Sequence, residues 1–421
     1  MRLIAAALAG LLALTGVGAC SSTDRPDGSA VAVAAAGGDR ERKITLTRWD
    51  SSRQWRRGDL AGTTAGDGRL AFHQPVGSAT AGGRSYDVAR WTSPWVEPGY
   101  AFTELIASWS ARTPKDSWIE VKVRGRGGSG GRTSWDLLGR WTSGDHHLRR
   151  GTVSGQSDDG TSVAVDTWRT SGLSGYQLRV VLARRSGAAY RPSLDLATAM
   201  TSRLPASAGP TSAPGAARGT VLQVPRFSQM VHRGHYPRWG SGGEAWCSPT
   251  STSMVLGYYD RLPVPRRYRW VPGGHVDPWV DHAARMTYDH AYDGTGNWPF
   301  NTAYAAPLAG KAFVTRLRSV REAERLLAAG IPVVVSIAFG PGQLDGAPIG
   351  SSDGHLLVLV GVRANGNVVV NDPAADSRRR VRRTYDRGQL ERLWLEASGG
   401  LAYVITDSAH PLPNPRAATN W

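Results

Sequence analysis

The sequence predicts an α+β protein, an all-β sandwich region followed by a mixed helix-and-sheet domain, on three observations. From residue 40 to 203, short runs alternate apolar and polar residues between Gly, Asp and Ser clusters, as antiparallel strands do. Residues 204–219, LPASAGPTSAPGAARG, carry no periodic apolar face and read as a linker. In residues 220–421 helical periodicity comes first and strands follow. The chain has 421 residues, 41% of them hydrophobic and 16 of them Trp, which is enough for two packed domains and excludes wholesale disorder.

Taken in order, residues 1–20 read as an export signal and not as a core helix. Arg2 precedes an apolar run from Leu3 to Leu14, and small residues lead to Val17-Gly18-Ala19-Cys20. That ending resembles a bacterial lipobox, in which Cys20 is lipid-modified; cleavage after Ala19 or within Ala34-Ala35-Ala36 is the alternative. Residues 21–39 read as a flexible tether. No later apolar run approaches the roughly 20 residues of a membrane span. Membrane contact is therefore expected only through a lipid anchor or the signal peptide, with the protein secreted or held on the outer face of a bacterial cell membrane.

The strands of the first region include residues 118–123, 162–166 and 176–182. In the second, one helix is expected from Cys247 to Tyr259 and another from Val320 to Ala329, stopped by Gly330. Strands are expected at 333–337, 356–362, 368–371 and 402–406. The charge balance, 50 Lys+Arg against 34 Asp+Glu, gives a formal +16. Only Lys43, Lys115, Lys122 and Lys311 are lysines, and the arginines are scattered without an aromatic-interleaved stripe. A nucleic-acid partner is therefore not expected.

The sequence holds two cysteines, and export removes or lipidates Cys20, which leaves Cys247 as the cysteine of the mature chain. It begins a helix in Trp246-Cys247-Ser248-Pro249-Thr250-Ser251. A helix start stabilises a thiolate through its dipole and its unspent N–H groups, which is what a nucleophilic cysteine requires. A base is available in Asp353-Gly354-His355, at the start of an apolar strand. The Asn365-Gly366 turn brings that strand back to Asn371-Asp372-Pro373. With the turn centred there, residue 376 faces His355 and Asp372 lies four positions away, an even offset that keeps both side chains on one face. In roles, His355 is the base and later the acid, and Asp372 orients its ring.

Together with Val224-Pro225-Arg226-Phe227-Ser228-Gln229, these blocks make residues 220–408 resemble the bacteriocin-processing (double-glycine) peptidase-like family. These are the C39-like peptidases, which are papain-fold cysteine peptidases, and the stand-alone exported type is the nearest in character. The resemblance implies a papain-like fold and a peptide or protein substrate, and it makes Gln229 a side-chain oxyanion donor beside the Cys247 N–H. The family usually has Gly after the cysteine, where Ser248 stands, and a shorter Gln-to-Cys separation.

No cofactor or metal is implied. His275, Asp277, Asp281, His282, Asp289 and His290 fit no compact ligand spacing and read as solvated helix and loop residues. Residues 296–301 read as a structured loop, and Trp91, Trp95, Trp109 and Trp118 as sandwich core. The expected activity is thiol-dependent hydrolysis of peptide or isopeptide bonds through an acyl-enzyme, with cell-wall polymer a candidate ligand of the first region. The alternatives are a wall-peptide amidase or transpeptidase on the same fold, or an inactive surface binding lipoprotein.

Overall fold

The computed structural model describes residues 41–128, 130–153, 155–414 and 420–421. The export signal, Cys20 and the tether lie outside them. No described helix is long and apolar enough to cross a membrane.

The first region contains two antiparallel sheets. One runs Thr63–Gly66, Arg69–Phe72, Ser193–Arg203, Phe102–Arg112, Thr167–Leu173, Thr161–Ala164, Ser157–Asp158, with Lys43–Trp49 also paired to Ser193–Arg203. The other runs Gly77–Ala81, Arg84–Thr92, Gly175–Arg185, Ser117–Arg126, Asp136–Trp141. Their facing aromatics meet: Trp49 and Trp91 at 5.4 Å between ring centres, Phe102 and Tyr176 at 5.8 Å. Trp91, Trp109 and Trp118 are buried, whereas Trp95 is half-buried under Arg124, Arg126 and Arg132 and is not core.

The second region is built on a six-stranded antiparallel sheet, Lys311–Arg316, Leu401–Thr406, Val333–Phe339, Ser352–Val362, Val368–Asn371, Arg382–Tyr385. Helix Cys247–Tyr258 packs on Ser352–Val362, and Arg387–Ser398 on Val333–Phe339. Helix Trp298–Ala309 lies between Phe102–Arg112 of the first region and Lys311–Arg316 of the second. It corrects the loop expected at 296–301: Asn297 caps it, its side chain accepting from the Phe300 N–H at 3.0 Å.

Phe300 carries the core across the boundary, 6.1 Å from Trp109 and 5.3 Å from Trp141 between ring centres. Around it the join is polar, and its buried carboxylates are well partnered, whereas the indole N–H groups of Trp109, Trp141 and Trp298 have no hydrogen-bond partner. Asp289, wholly buried, accepts from the Thr152 N–H at 3.1 Å and hydroxyl at 3.0 Å, from Asn297 at 2.9 Å, and from the Ala291 and Tyr292 N–H groups. The Ser108 hydroxyl accepts from the Val314 N–H at 3.0 Å. Arg316 pairs with Glu104, whose carboxyl its charge holds below the ordinary carboxylate range against the opposing effect of burial.

Residues 204–219 are also fastened. The Gly215 and Ala217 N–H groups donate to Glu324 at 2.7 and 3.1 Å, and the Ser212 N–H donates to Glu391 at 2.8 Å. The chain then crosses the Ser352–Val362 strand, with the Gly219 N–H on the Val362 carbonyl and the Leu222 N–H on the Val360 carbonyl, both at 2.8 Å. A Cβ at Gly361 would stand 2.2 Å from the Thr220 carbonyl oxygen, so this crossing admits only glycine.

Candidate active site

Cys247 is fully buried at the first position of its helix, after a short 3₁₀ turn, Gly243–Ala245. The helix is rich in hydroxyls although it is buried on nearly every side; several of them find partners, and Thr250 Oγ1 has none. Ser251, one turn beyond Cys247, donates to the Leu356 carbonyl at 3.0 Å, which sets the helix start over the strand position next to His355. Ser248 is hydrogen-bonded to the Tyr403 hydroxyl at 2.9 Å, and both are buried. That bond gives the hydroxyl after the cysteine a structural use.

His355 is 2% exposed, and its Nε2 lies 2.8 Å from Asp372 Oδ1. Asp372 is wholly buried, with the Tyr385 hydroxyl donating to its other oxygen at 2.7 Å and the Ala374 N–H to Oδ1 at 3.0 Å. Burial alone pushes this carboxyl up; His355, Tyr385 and the Ala374 N–H outweigh it and hold the group below its ordinary value. Tyr385 in turn is pushed up by burial and by the Asp372 charge, and so stays a donor.

The hairpin register differs from the expectation. Val362 pairs with Val368, and a bulge between Leu359 and Gly361 moves the pairing by one more, to Val358 with Asn371. Each shift flips one strand's faces, and the two together restore the parity. Asp372 therefore comes closer to His355 along the ladder but on the same side.

Gln229, 3% exposed, opens the 3₁₀ turn Gln229–His232. Its backbone N–H donates to the Pro373 carbonyl at 2.9 Å, and its side-chain amide donates to the Glu244 carbonyl. It thus ties the Asp372 loop to the segment just ahead of Cys247. A cavity of about 550 Å³ opens at Asp353 and Gly354, but Cys247, His355, Asp372 and Gln229 do not line it. Its opposite wall is the first region, with Glu104, Asp166 and Arg169.

Two kinds of residue escaped the sequence. Tyr385 carries no local signal, since its role depends on its strand lying beside Val368–Asn371. The residues read as solvated are mostly buried instead: Asp277 (2%), Asp281 (0%), His282 (7%) and Asp289 (0%). Asp277 pairs with Arg378 and Asp281 with His232 and His235 inside the second region, while Asp289 meets Thr152 across the join.

Comparison with known proteins places two matches in tandem. Residues 45–202 match the peptidase C39 N-terminal domain, and residues 221–402 match the peptidase C39-like family. No curated protein matches the chain. Among solved structures, infectious bursal disease virus of the Gx strain is 10% identical at a TM-score of 0.20 over 39% of this chain and 33% of the viral one. The Gt strain gives 11%, 0.20, 39% and 32%. A family two carbohydrate esterase from Cellvibrio japonicus gives 10% at 0.18, over 52% of this chain and 51% of the other. The chain spans about a third of the length of the viral chains, and likenesses so slight carry no argument about its fold. The two matches agree with the buried His355–Asp372 pair beside a helix that starts at cysteine: the chain belongs to the C39-like peptidases.

Proposed function

We propose that the protein is an exported cysteine peptidase of papain-like architecture, with Cys247 as nucleophile. The observation that carries this is the buried His355–Asp372 pair, whose histidine is on the strand that Cys247's helix packs against. Asp372 takes Nε2 of His355, so Nδ1 is the ring atom left to receive the thiol proton. The helix start favours the resulting thiolate.

The thiolate attacks the carbonyl carbon of a peptide or isopeptide bond, and the oxygen takes up the displaced electron pair. The Cys247 N–H and the Gln229 amide N–H not given to Glu244 would hold that oxyanion, each such donor being worth roughly 3–4 kcal/mol. The His355 imidazolium returns its proton to the leaving amine. Water, deprotonated by His355, then frees the acyl group and restores the thiol. An anchor at Cys20 would keep this chemistry at the cell surface.

The test is the alkylation rate of Cys247 against pH in wild type and His355→Ala. Rapid labelling that persists well below pH 7 in wild type and disappears in the variant supports a thiolate–imidazolium pair. An ordinary thiol profile near pH 8.5, the same in both, overturns it. An added amine that diverts the acyl product would show transfer in place of hydrolysis.

The alternative of surface binding has one observation in its favour. On the five-stranded sheet, Arg124, Arg126 and Arg132 lie over Trp95, and Arg124 and Arg179 over Trp135. Cationic groups on aromatic faces suit an anionic wall polymer. Wall binding unchanged by Cys247→Ala but lost on replacing these arginines would assign that work to this face.

A further inference from the structure

We infer that His232, His235 and Asp281 form a binding site for a divalent transition-metal ion of the zinc class. This does not depend on the catalytic reading of Cys247. His232 closes the 3₁₀ turn that begins at Gln229, His235 follows three residues on, and Asp281 lies in the first turn of helix Pro278–Thr287. One ligand atom from each of the three stands within 4.8 Å of the others. The Asp281 oxygens are 2.9 Å from His235 Nδ1 and 3.1 Å from His232 Nδ1. Ligands bound tetrahedrally at about 2.0–2.1 Å from zinc stand roughly 3.4 Å apart, so small outward shifts admit an ion.

The independent observation is the state of the buried atoms. His232 is wholly inaccessible, and neither of its ring nitrogens has a hydrogen-bond partner; the approach to Asp281 is close but off the line a hydrogen bond needs. Asp281 Oδ2 is buried and likewise without one. Polar atoms in that condition cost stability unless something satisfies them. A cation between the imidazole and the carboxylate satisfies both, and two nitrogens with one oxygen suit zinc or its neighbours better than calcium or magnesium.

The surroundings fit a held ion with a route in. The His235 and His275 side chains are 21% and 23% exposed, and their rings stack at 3.8 Å. His275 Nδ1, also without a hydrogen-bond partner, lies 3.5 Å from Asp281 Oδ1 and stands ready as a fourth ligand. Trp246, the residue before Cys247, packs its ring 6.0 Å from that of His232. A Cβ at Gly243 would lie 2.0 Å from the His232 carbonyl oxygen, so the two halves of the long Gln229-to-Cys247 stretch are folded tightly together. The ion would fasten that stretch to helix Pro278–Thr287.

The experiment uses the untagged mature chain, in wild type and in Cys247→Ala, so that the thiol is removed as a competing ligand. Metal content is measured by mass spectrometry after dialysis, and melting temperature is followed with EDTA and with zinc or cobalt added back. The expected result is one equivalent of metal per chain in both proteins, a melting temperature lowered by EDTA and restored by zinc, and a visible cobalt spectrum. His235→Ala, at a partly exposed position, should lose the metal and become indifferent to EDTA and zinc. Asp281→Asn should do the same. Sub-stoichiometric metal with a melting temperature that neither reagent moves would overturn the site, as would uptake unchanged in His235→Ala.

Discussion

The two sheets of the first region are made of the same kind of strand and meet very different surroundings. In Ser117–Arg126, the far half of the strand alternates buried and half-buried residues, and Arg124 reaches Trp95 and Trp135 on the open face. In Phe102–Arg112, every residue from Leu105 to Ala111 is buried. The difference is a second cover: helix Trp298–Ala309 and strand Lys311–Arg316 lie on the outer face of the eight-stranded sheet. On Phe102–Arg112 the uninterrupted burial thus marks where the other layer rests. It shows that the two regions share an interior and are not beads on a tether.

The sharpest way to break that comparison is at Asp289. Asp289→Ala should destabilise the protein by about 3–5 kcal/mol, since it leaves the buried donors of Thr152 and Asn297 without their acceptor and frees the more exposed Ala291 and Tyr292 N–H groups. Calorimetry should show the variant unfolding at lower temperature than wild type, or in one transition more.

The next effect is a pH dependence centred on Asp166, whose carboxylate accepts from the Trp298 N–H at 2.9 Å across the join. Burial pushes this carboxyl up to about 7 from 3.8. The folded chain therefore binds the proton more tightly than the unfolded one, and this contribution, about 4 kcal/mol at most, is complete below pH 4 and lost as pH rises through 7. Urea unfolding at pH 5 and pH 8 should show it, and Asp166→Asn should flatten that slope.

A smaller loss is expected from Ser108→Ala, about 1–3 kcal/mol, because the Val314 N–H and the Thr198 hydroxyl each lose a partner. On the open sheet, Arg179→Ala removes a guanidinium lying 4.1 Å over Trp135 and should cost only about 0.5–1 kcal/mol. Chemical denaturation of these two variants compares the covered and open sheets directly.

Much of this was legible because the period of the pattern matched the environment. Cys247 at a helix start and His355 at a strand start follow from local signals, and Asp372 follows because parity survived two register shifts. Helix Trp298–Ala309 escaped because its apolar residues lie on all sides, one packed on each region, so no amphipathic stripe exists to be seen. His235 and Asp281 are 46 residues apart, and only the fold brings them together. The Pro/Ala/Gly run at 204–219 reads as a spacer by composition, yet its backbone N–H groups found Glu324 and Glu391, carboxylates that lie far along the chain.

The doubly covered sheet also bears on how the chain reaches its native state. Phe102–Arg112 and Ser193–Arg203 are synthesised well before Trp298–Ala309 and Lys311–Arg316, which cover them. Until those elements arrive, the outward row of Phe102–Arg112, which includes Ile106, Ser108 and Ser110, stands bare beside Met200, and Trp109 and Trp141 lack the Phe300 ring that packs on both. Such a face invites association between unfinished molecules. Residues 41–203 made alone should therefore be adhesive and poorly soluble.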